Sequence, residues 1–256
     1  MSNTNIEITF ADGVYSIILN RGHRLNAINI QTMVELHNAI DSLPEDAQCV
    51  VLEATGDVFC AGADLEWLRK GNNQSFQANY EESYLLTSLL EKIKTIHVPT
   101  LAIGKGVAIG AGVGLLLSCD ISIVEANTKL SFSEVQIGIV PVAIVEPVLS
   151  ALPLSIAKML LLTGKRCKAS DLEKYGIFSE ITDGLDELDK AKSEMISLIR
   201  SAGKSAVKQT KSLIGKAFEG GISSEYAAEQ IAQMRMTDDA SEGIEGFYLK
   251  KHEGKI

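Results

Sequence analysis

At 256 residues the chain is long enough for one large domain, or for one domain with a smaller appendage. Its net charge of −9 argues against a general nucleic-acid or acidic-membrane surface, because phosphate binding needs basic patches, although a few local cations could still hold a small anion. Hydrophobic residues make up 46%, ample for a sizeable core. Cys49, Cys60, Cys119 and Cys167 are scattered with no Cys-x-x-Cys pair, which reads as buried free thiols rather than zinc ligands. The opening Met1-Ser-Asn-Thr-Asn5 has no basic stretch leading into an apolar one, so no secretory signal is visible. A reducing cytoplasm is the expected compartment, with an organelle reached by a cleaved import peptide as the other option.

Taken in order, Ile6-Glu-Ile-Thr-Phe10 and Val14-Tyr-Ser-Ile-Ile-Leu19 flank Ala11-Asp-Gly13 and predict a hairpin. Arg21 to Ala27 is a polar connector. Asn29 or Asn26 then caps a helix with Met33, Leu36, Ile40 and Leu43 at helical spacing. Cys49-Val-Val-Leu52 predicts a buried strand, Gly56 to Asp64 a glycine-bearing turn, and Leu65-Glu-Trp-Leu-Arg69 a helix. A longer helix is expected over 75–96. Residues 144–163 read as helix broken by Pro153, 169–175 as a short helix, and Ile177 to Ile181 as a strand end. Beyond Leu185 the strand-like runs stop, and helices are predicted near 186–201, 203–218, 222–236 and 239–251. A strand–helix body over 1–184 and an all-helical region over 185–256 follow from this change.

The chain is organised around Pro99 to Pro141. A strand-like run, Thr100-Leu-Ala-Ile-Gly104, passes into Gly106-Val-Ala-Ile-Gly-Ala-Gly-Val-Gly114 and an apolar helix ending at Asp120. Glycines at a strand-to-helix junction permit a tight turn and let a ligand meet bare backbone. A helix starting near Ala111 would present free N–H groups and its positive dipole end, a site suited to an oxyanion. Three blander readings compete. The uncharged run 106–119 falls short of the roughly 20 residues a membrane span needs. No Gly-x-Gly-x-x-Gly occurs between Gly104 and Gly114, which argues against a dinucleotide loop. Close backbone packing is the third.

Asn26-Ala27, Phe59-Cys-Ala-Gly-Ala-Asp64, Gly106-Val-Ala-Ile-Gly-Ala-Gly112, Cys119-Asp120, Glu134 and Gly138-Ile-Val-Pro141 occur in the order and approximate spacing of one family. By them the chain resembles the enoyl-CoA hydratase/isomerase (crotonase) superfamily over nearly its whole length. The resemblance implies an α/β fold, a crotonase-like spiral of repeated ββα units with a C-terminal all-helical trimerisation region. It also implies acyl-CoA thioester chemistry and assembly as a homotrimer or a dimer of trimers. Coenzyme A would arrive as part of the substrate, with no separate cofactor and no metal.

The family forms a thioester enolate, whose negative oxygen needs preorganised donors in a dry site. The resemblance assigns these donors to the backbone N–H groups of Ala61 and Ala111. It places Ala63, Asp64 and Leu65 along the adenine pocket, although Asp64 reads equally well as a helix cap. Ala27 and Gly110 join the substrate contacts. Arg21 and Arg24 lie in the connector that relatives use beside the nucleotide, and Lys250 and Lys251 match C-terminal phosphate contacts made from a neighbouring subunit. Asp120 reads as structural. His23, His37, His97 and His252 show no ligand spacing.

The acid–base group departs from the two-glutamate hydratases, because Gly114 stands where the first glutamate is expected. Glu134 matches the second, and an apolar cleft would push its pKa into the range useful for proton transfer. Glu146 is a candidate replacement acid, against the blander reading of a solvent-facing helix residue. Val142 argues against a dehalogenase. The runs Gly112 to Leu115 and Leu130 to Val135 are similar to bacterial methylglutaconyl-CoA hydratases, so hydration of a 2-enoyl-CoA is expected. A Δ3-Δ2-enoyl-CoA isomerase using the same glutamate is the alternative. A non-catalytic CoA- or RNA-binding homologue is a third reading, disfavoured by the charge.

Overall fold

The computed structural model describes residues 4–252, apart from the side chains of Glu219 and Lys250. Strands β1 (Ile6–Ala11) and β2 (Val14–Leu19) form the expected antiparallel hairpin, with Ile6 opposite Leu19. Asp12 and Gly13 both have positive φ, the geometry that a two-residue hairpin turn requires to match strand twist. Asn29 caps α1 (Ile30–Asp41) by accepting from the Thr32 amide at 2.9 Å. The chain then enters β3 (Cys49–Ala54), α2 (Leu65–Gly71) and α3 (Phe76–Lys94).

The central stretch contributes β4 (Thr100–Gly104), β5 (Val107–Ile109), α4 (Ala111–Ser118), β6 (Ile121–Glu125) and β7 (Lys129–Ser131). After it come α5 (Val142–Ala151), α6 (Leu154–Thr163), β8 (Cys167–Lys168), α7 (Ala169–Leu172) and β9 (Glu180–Thr182). The break between α5 and α6 falls at Leu152-Pro153, where proline's missing N–H and fixed φ stop a helix.

A six-stranded sheet runs β1-β2-β3-β4-β6-β9, parallel except for the first hairpin. Parallel strands are covered on both faces, which is why β3 and β4 read as continuous apolar runs. A second sheet, β5-β7-β8, forms from residues that do not read as strands on their own, and supplies the second strand of the ββα repeat. Its strands are two or three residues long, and single bridges Cys60–Ala108 and Ile28–Ala63 extend it. Each turn of the spiral thus gives a strand to the large sheet and a short strand or bridge to the small one, then closes with a helix. The strand expected from Ile177 lies instead at Glu180–Thr182, while Ile177 and Phe178 are buried in the core.

The four C-terminal helices are α8 (Leu185–Ser201), α9 (Lys204–Gly220), α10 (Ser224–Met234) and α11 (Asp238–His252). Only the first is fully committed to the body. Leu188 and Ala191 of α8 pack on Val51, Leu101, Ile103 and Ile123 of the large sheet, and Lys192 reaches Glu53 at 2.6 Å. Helix α9 is held by Lys211, which donates to Asp120 at 2.6 Å and to the Val98 carbonyl at 3.0 Å. Asp120 also accepts from the amide and hydroxyl of Thr100, a structural role. Phe218 is 82% exposed and Met236 87%, with Ile214, Ile231, Ile244 and Phe247 also open. All four cysteines are unpaired, and no helix among the described residues is long and apolar enough to cross a membrane.

Candidate active site

The loop from Val58 to Asp64 is held from two sides. Asn26, buried and at positive φ, donates to the carbonyls of Thr55 and Val58 at 3.0 and 2.7 Å, and its oxygen accepts from the Arg21 amide. Phe59 and Cys60 donate to the carbonyls of Lys105 and Val107, and Ile109 donates back to Cys60. On the other side the Gly62 carbonyl accepts from Ile28, and the Asp64 amide donates to Ile28 at 2.8 Å.

This bonding corrects the assignment of Ala61. Its amide donates to the Leu25 carbonyl at 3.0 Å and is not available to a ligand. Ala63 is the residue left over. Both of its neighbours bond Ile28, so its own N–H turns away from that strand and has no partner among the described residues. Two alanines flank Gly62, and only the positions of Leu25 and Ile28 decide which one keeps a spare amide.

The second turn abuts the first. Gly110, at φ 50, caps α4 without a side-chain bond, and the N–H of Ala111, the first helical residue, has no partner among the described residues. A Cβ on Gly112 would stand 2.5 Å from the Cys60 carbonyl, and one on Gly62 2.6 Å from that of Ile109. The glycines therefore let two stretches of main chain touch, with the Ala63 amide spare on one and the Ala111 amide among those spare on the other, beside the positive end of α4.

Glu134 lies in a 3-10 turn over Ser133–Ile137 that Gly138 closes at φ 77. Its Oε1 stands 2.7 Å from where a Gly110 Cβ would be, so glycine is what admits the carboxylate. Its Oε2 is buried with no partner among the described residues. An orphaned carboxylate oxygen in a folded protein calls for a role, since leaving it unpaired is costly. Burial pushes this carboxyl above the ordinary glutamate value, opposed by its own backbone N–H.

That shift has a consequence for stability. The folded state keeps a proton that the unfolded chain has already released, so stability is full below the unfolded pKa and is lost as pH rises through the folded one. Glu134→Gln should therefore melt higher than wild type at neutral pH, with the gap closing below about pH 4. Thermal melts across that range check it, and equal melting at neutral pH would contradict a desolvated Glu134.

The remaining candidates separate into two groups. Ala27, Ala63, Asp64 and Leu65 cluster on the first turn. Asp64 caps α2 through the amides of Glu66 and Trp67 and pairs with Arg21 at 2.5 Å. Burial would raise its pKa, but the Arg21 hydrogen bond and the two amides outweigh it and hold the carboxyl below the usual range. Arg21 also donates to the Ala27 carbonyl at 3.0 Å, which ties its guanidinium into the loop. Leu65 is 71% exposed, and Arg24 lies open at the loop, 3.7 Å from Glu66. Lys251 is exposed on α11 with no bond to this cluster among the described residues, and the Lys250 side chain lies outside the described residues.

Among the described residues no second acid perturbs Glu134. Glu146 points to solvent and pairs with Lys94 at 3.5 Å, the blander of its two readings. Gly114 faces Ile144 and Leu90, both buried.

The enoyl-CoA hydratase/isomerase family model matches residues 9–254. An Arabidopsis thaliana protein named "Probable enoyl-CoA hydratase 2, mitochondrial" is 30% identical, over 93% of this chain and 80% of its own. The same plant's peroxisomal Delta(3,5)-Delta(2,4)-dienoyl-CoA isomerase is 27% identical, over 93% and 91%. A crystal structure of an enoyl-CoA hydratase from Mycobacterium smegmatis superposes with a TM-score of 0.90 at 26% identity, covering 96% of each chain. The chain belongs to the enoyl-CoA hydratase/isomerase family. Its fold is the crotonase fold.

Proposed function

We propose that the protein is a hydro-lyase that adds water across the double bond of a 2-enoyl-CoA. The observation that carries this reading is the buried Oε2 of Glu134, without a partner among the described residues, beside the open end of α4. The thioester oxygen accepts from the Ala63 and Ala111 amides, which stabilise the charge it gains. Glu134 takes a proton from water as the water oxygen bonds Cβ, and the electrons of the double bond move onto the thioester as an enolate. The enolate then collapses, and protonated Glu134 returns the proton to Cα. Water has added, and the carboxylate is regenerated.

Coenzyme A enters and leaves as part of the substrate, and no separate cofactor is needed for these steps. The sequence runs around Gly112 and Leu130 favour a short or branched acyl group such as 3-methylglutaconyl. Arg24 and the C-terminal Lys250 and Lys251 are the cations assigned to the CoA phosphates, the two lysines acting from a neighbouring subunit. A reducing compartment, the cytoplasm, suits four free thiols.

The apolar filling at Gly114 favours a second reading, a Δ3-Δ2-enoyl-CoA isomerase. One carboxylate suffices to take a proton from Cα and return it at Cγ. Absorbance of the conjugated thioester separates the two. It falls with crotonyl-CoA or 3-methylglutaconyl-CoA if the protein hydrates, and rises with a 3-enoyl-CoA if it isomerises. A rise with the last substrate and no fall with the first two overturns the hydro-lyase.

The exposed apolar residues of α9–α11 support assembly through that region, with 185–256 as the assembly region and 1–184 as the catalytic body. Light scattering is expected to give three or six times the 27.6 kDa chain mass. A monomer at micromolar concentration would contradict this.

A further inference from the structure

We infer that Ile144 is the residue that keeps a second carboxylate out of this site, so that its single-acid chemistry is enforced by packing as well as by the glycine at 114. The inference rests on the proposed enolate chemistry. Gly114 lies one turn along α4 from the donor end, its amide bonded to the Gly110 carbonyl at 3.0 Å. A Cβ there would stand 2.7 Å from Ile144 Cγ2 and 3.1 Å from Leu90 Cδ1. Ile144 is 1% exposed and Leu90 2%. The three helices α3, α4 and α5 pack on one another at this point. The colliding Ile144 atom is a methyl on a branched Cβ, which has few ways to swing aside. A glutamate at 114 would also lose its hydration against two aliphatic side chains. The glycine and the isoleucine are therefore a matched pair. Changing the first without the second yields strain and an unpaired acid, not a second catalytic group. Truncating Ile144 to alanine removes Cγ2 and opens room for a side chain from α4.

A stability cycle and an activity arm test this. Gly114→Ala should lower Tm by roughly 3–10 °C in the wild-type background. In the Ile144→Ala background the same change should cost little or raise Tm, since helical alanine is otherwise preferred to glycine. An equal loss in both backgrounds overturns the inference whether or not the enzyme is a hydratase. For activity, G114E/I144A should hydrate crotonyl-CoA at least about tenfold faster than I144A alone, the scale of a weakly placed acid–base group. Equal rates in those two, or G114E alone matching the double variant at wild-type Tm, also overturn it. A wild-type protein that leaves crotonyl-CoA unchanged would instead count against the hydro-lyase reading, and the stability cycle would still decide the packing.

Discussion

Glu134→Gln is expected to lower kcat with a 2-enoyl-CoA by about 10²–10⁴-fold, the range for losing a positioned general base. The amide matches the carboxylate in shape and fits beside Gly110, so KM should change little. It cannot accept a proton from water, and that is where the loss arises. The wild-type pH profile follows from the same burial. Because the carboxyl is pushed above the ordinary glutamate value, kcat/KM should fall on the acid side at a pH above the usual glutamate range. Glu134→Gln should retain only a flat residual rate with no such limb. Steady-state rates across pH check both points, and a variant within about twofold of wild type would remove Glu134 from the chemistry.

Gly112→Ala is expected to cost about 3 kcal/mol and to cut activity with it. Propensity alone predicts the opposite, since glycine to alanine inside a helix normally stabilises by up to about 1 kcal/mol. The sign reverses because the new Cβ would stand 2.5 Å from the Cys60 carbonyl, a backbone atom fixed by its own bond from Ile109. Side chains can rotate aside. Main chain in a bridge cannot. The turns must separate, which displaces the Ala63 amide from the Ala111 amide. Gly215→Ala on α9, where a new Cβ would meet none of the described residues within 4 Å beyond its own helix backbone and chain neighbours, serves as the control and should not lower Tm. The Gly112 change should lower it by roughly 6–12 °C. Equal melting of the two variants would show that the turns do not touch as described.

What was legible in the chain was what local rules decide. The Asp12-Gly13 turn, the Asn29 cap, the Pro153 break and the four C-terminal helices depend on residues within a turn or two of each other, and the helix ends fell within a few residues of expectation. The small sheet was hidden because strands of two or three residues have no period to detect, and Val107-Ala-Ile109 read as part of a glycine turn. The site was legible in its types but not in its bonding. The motif pointed to both turns and to Glu134, yet the choice between Ala61 and Ala63 depends on carbonyls at Leu25 and Ile28. Arg21 read as a cation in the connector beside the nucleotide, and its pairing with Asp64 is hidden because the two are distant in sequence. Ile144 drew no attention on its own helix, since its meaning comes from the glycine it faces on α4.

A diffraction structure of Glu134→Gln with crotonyl-CoA bound tests the central claim most directly. The thioester oxygen should lie about 2.7–3.1 Å from the amide nitrogens of both Ala63 and Ala111, with residue 134 facing the Cα–Cβ bond. A thioester oxygen bonded to the Ala61 amide, or to neither turn, would contradict it.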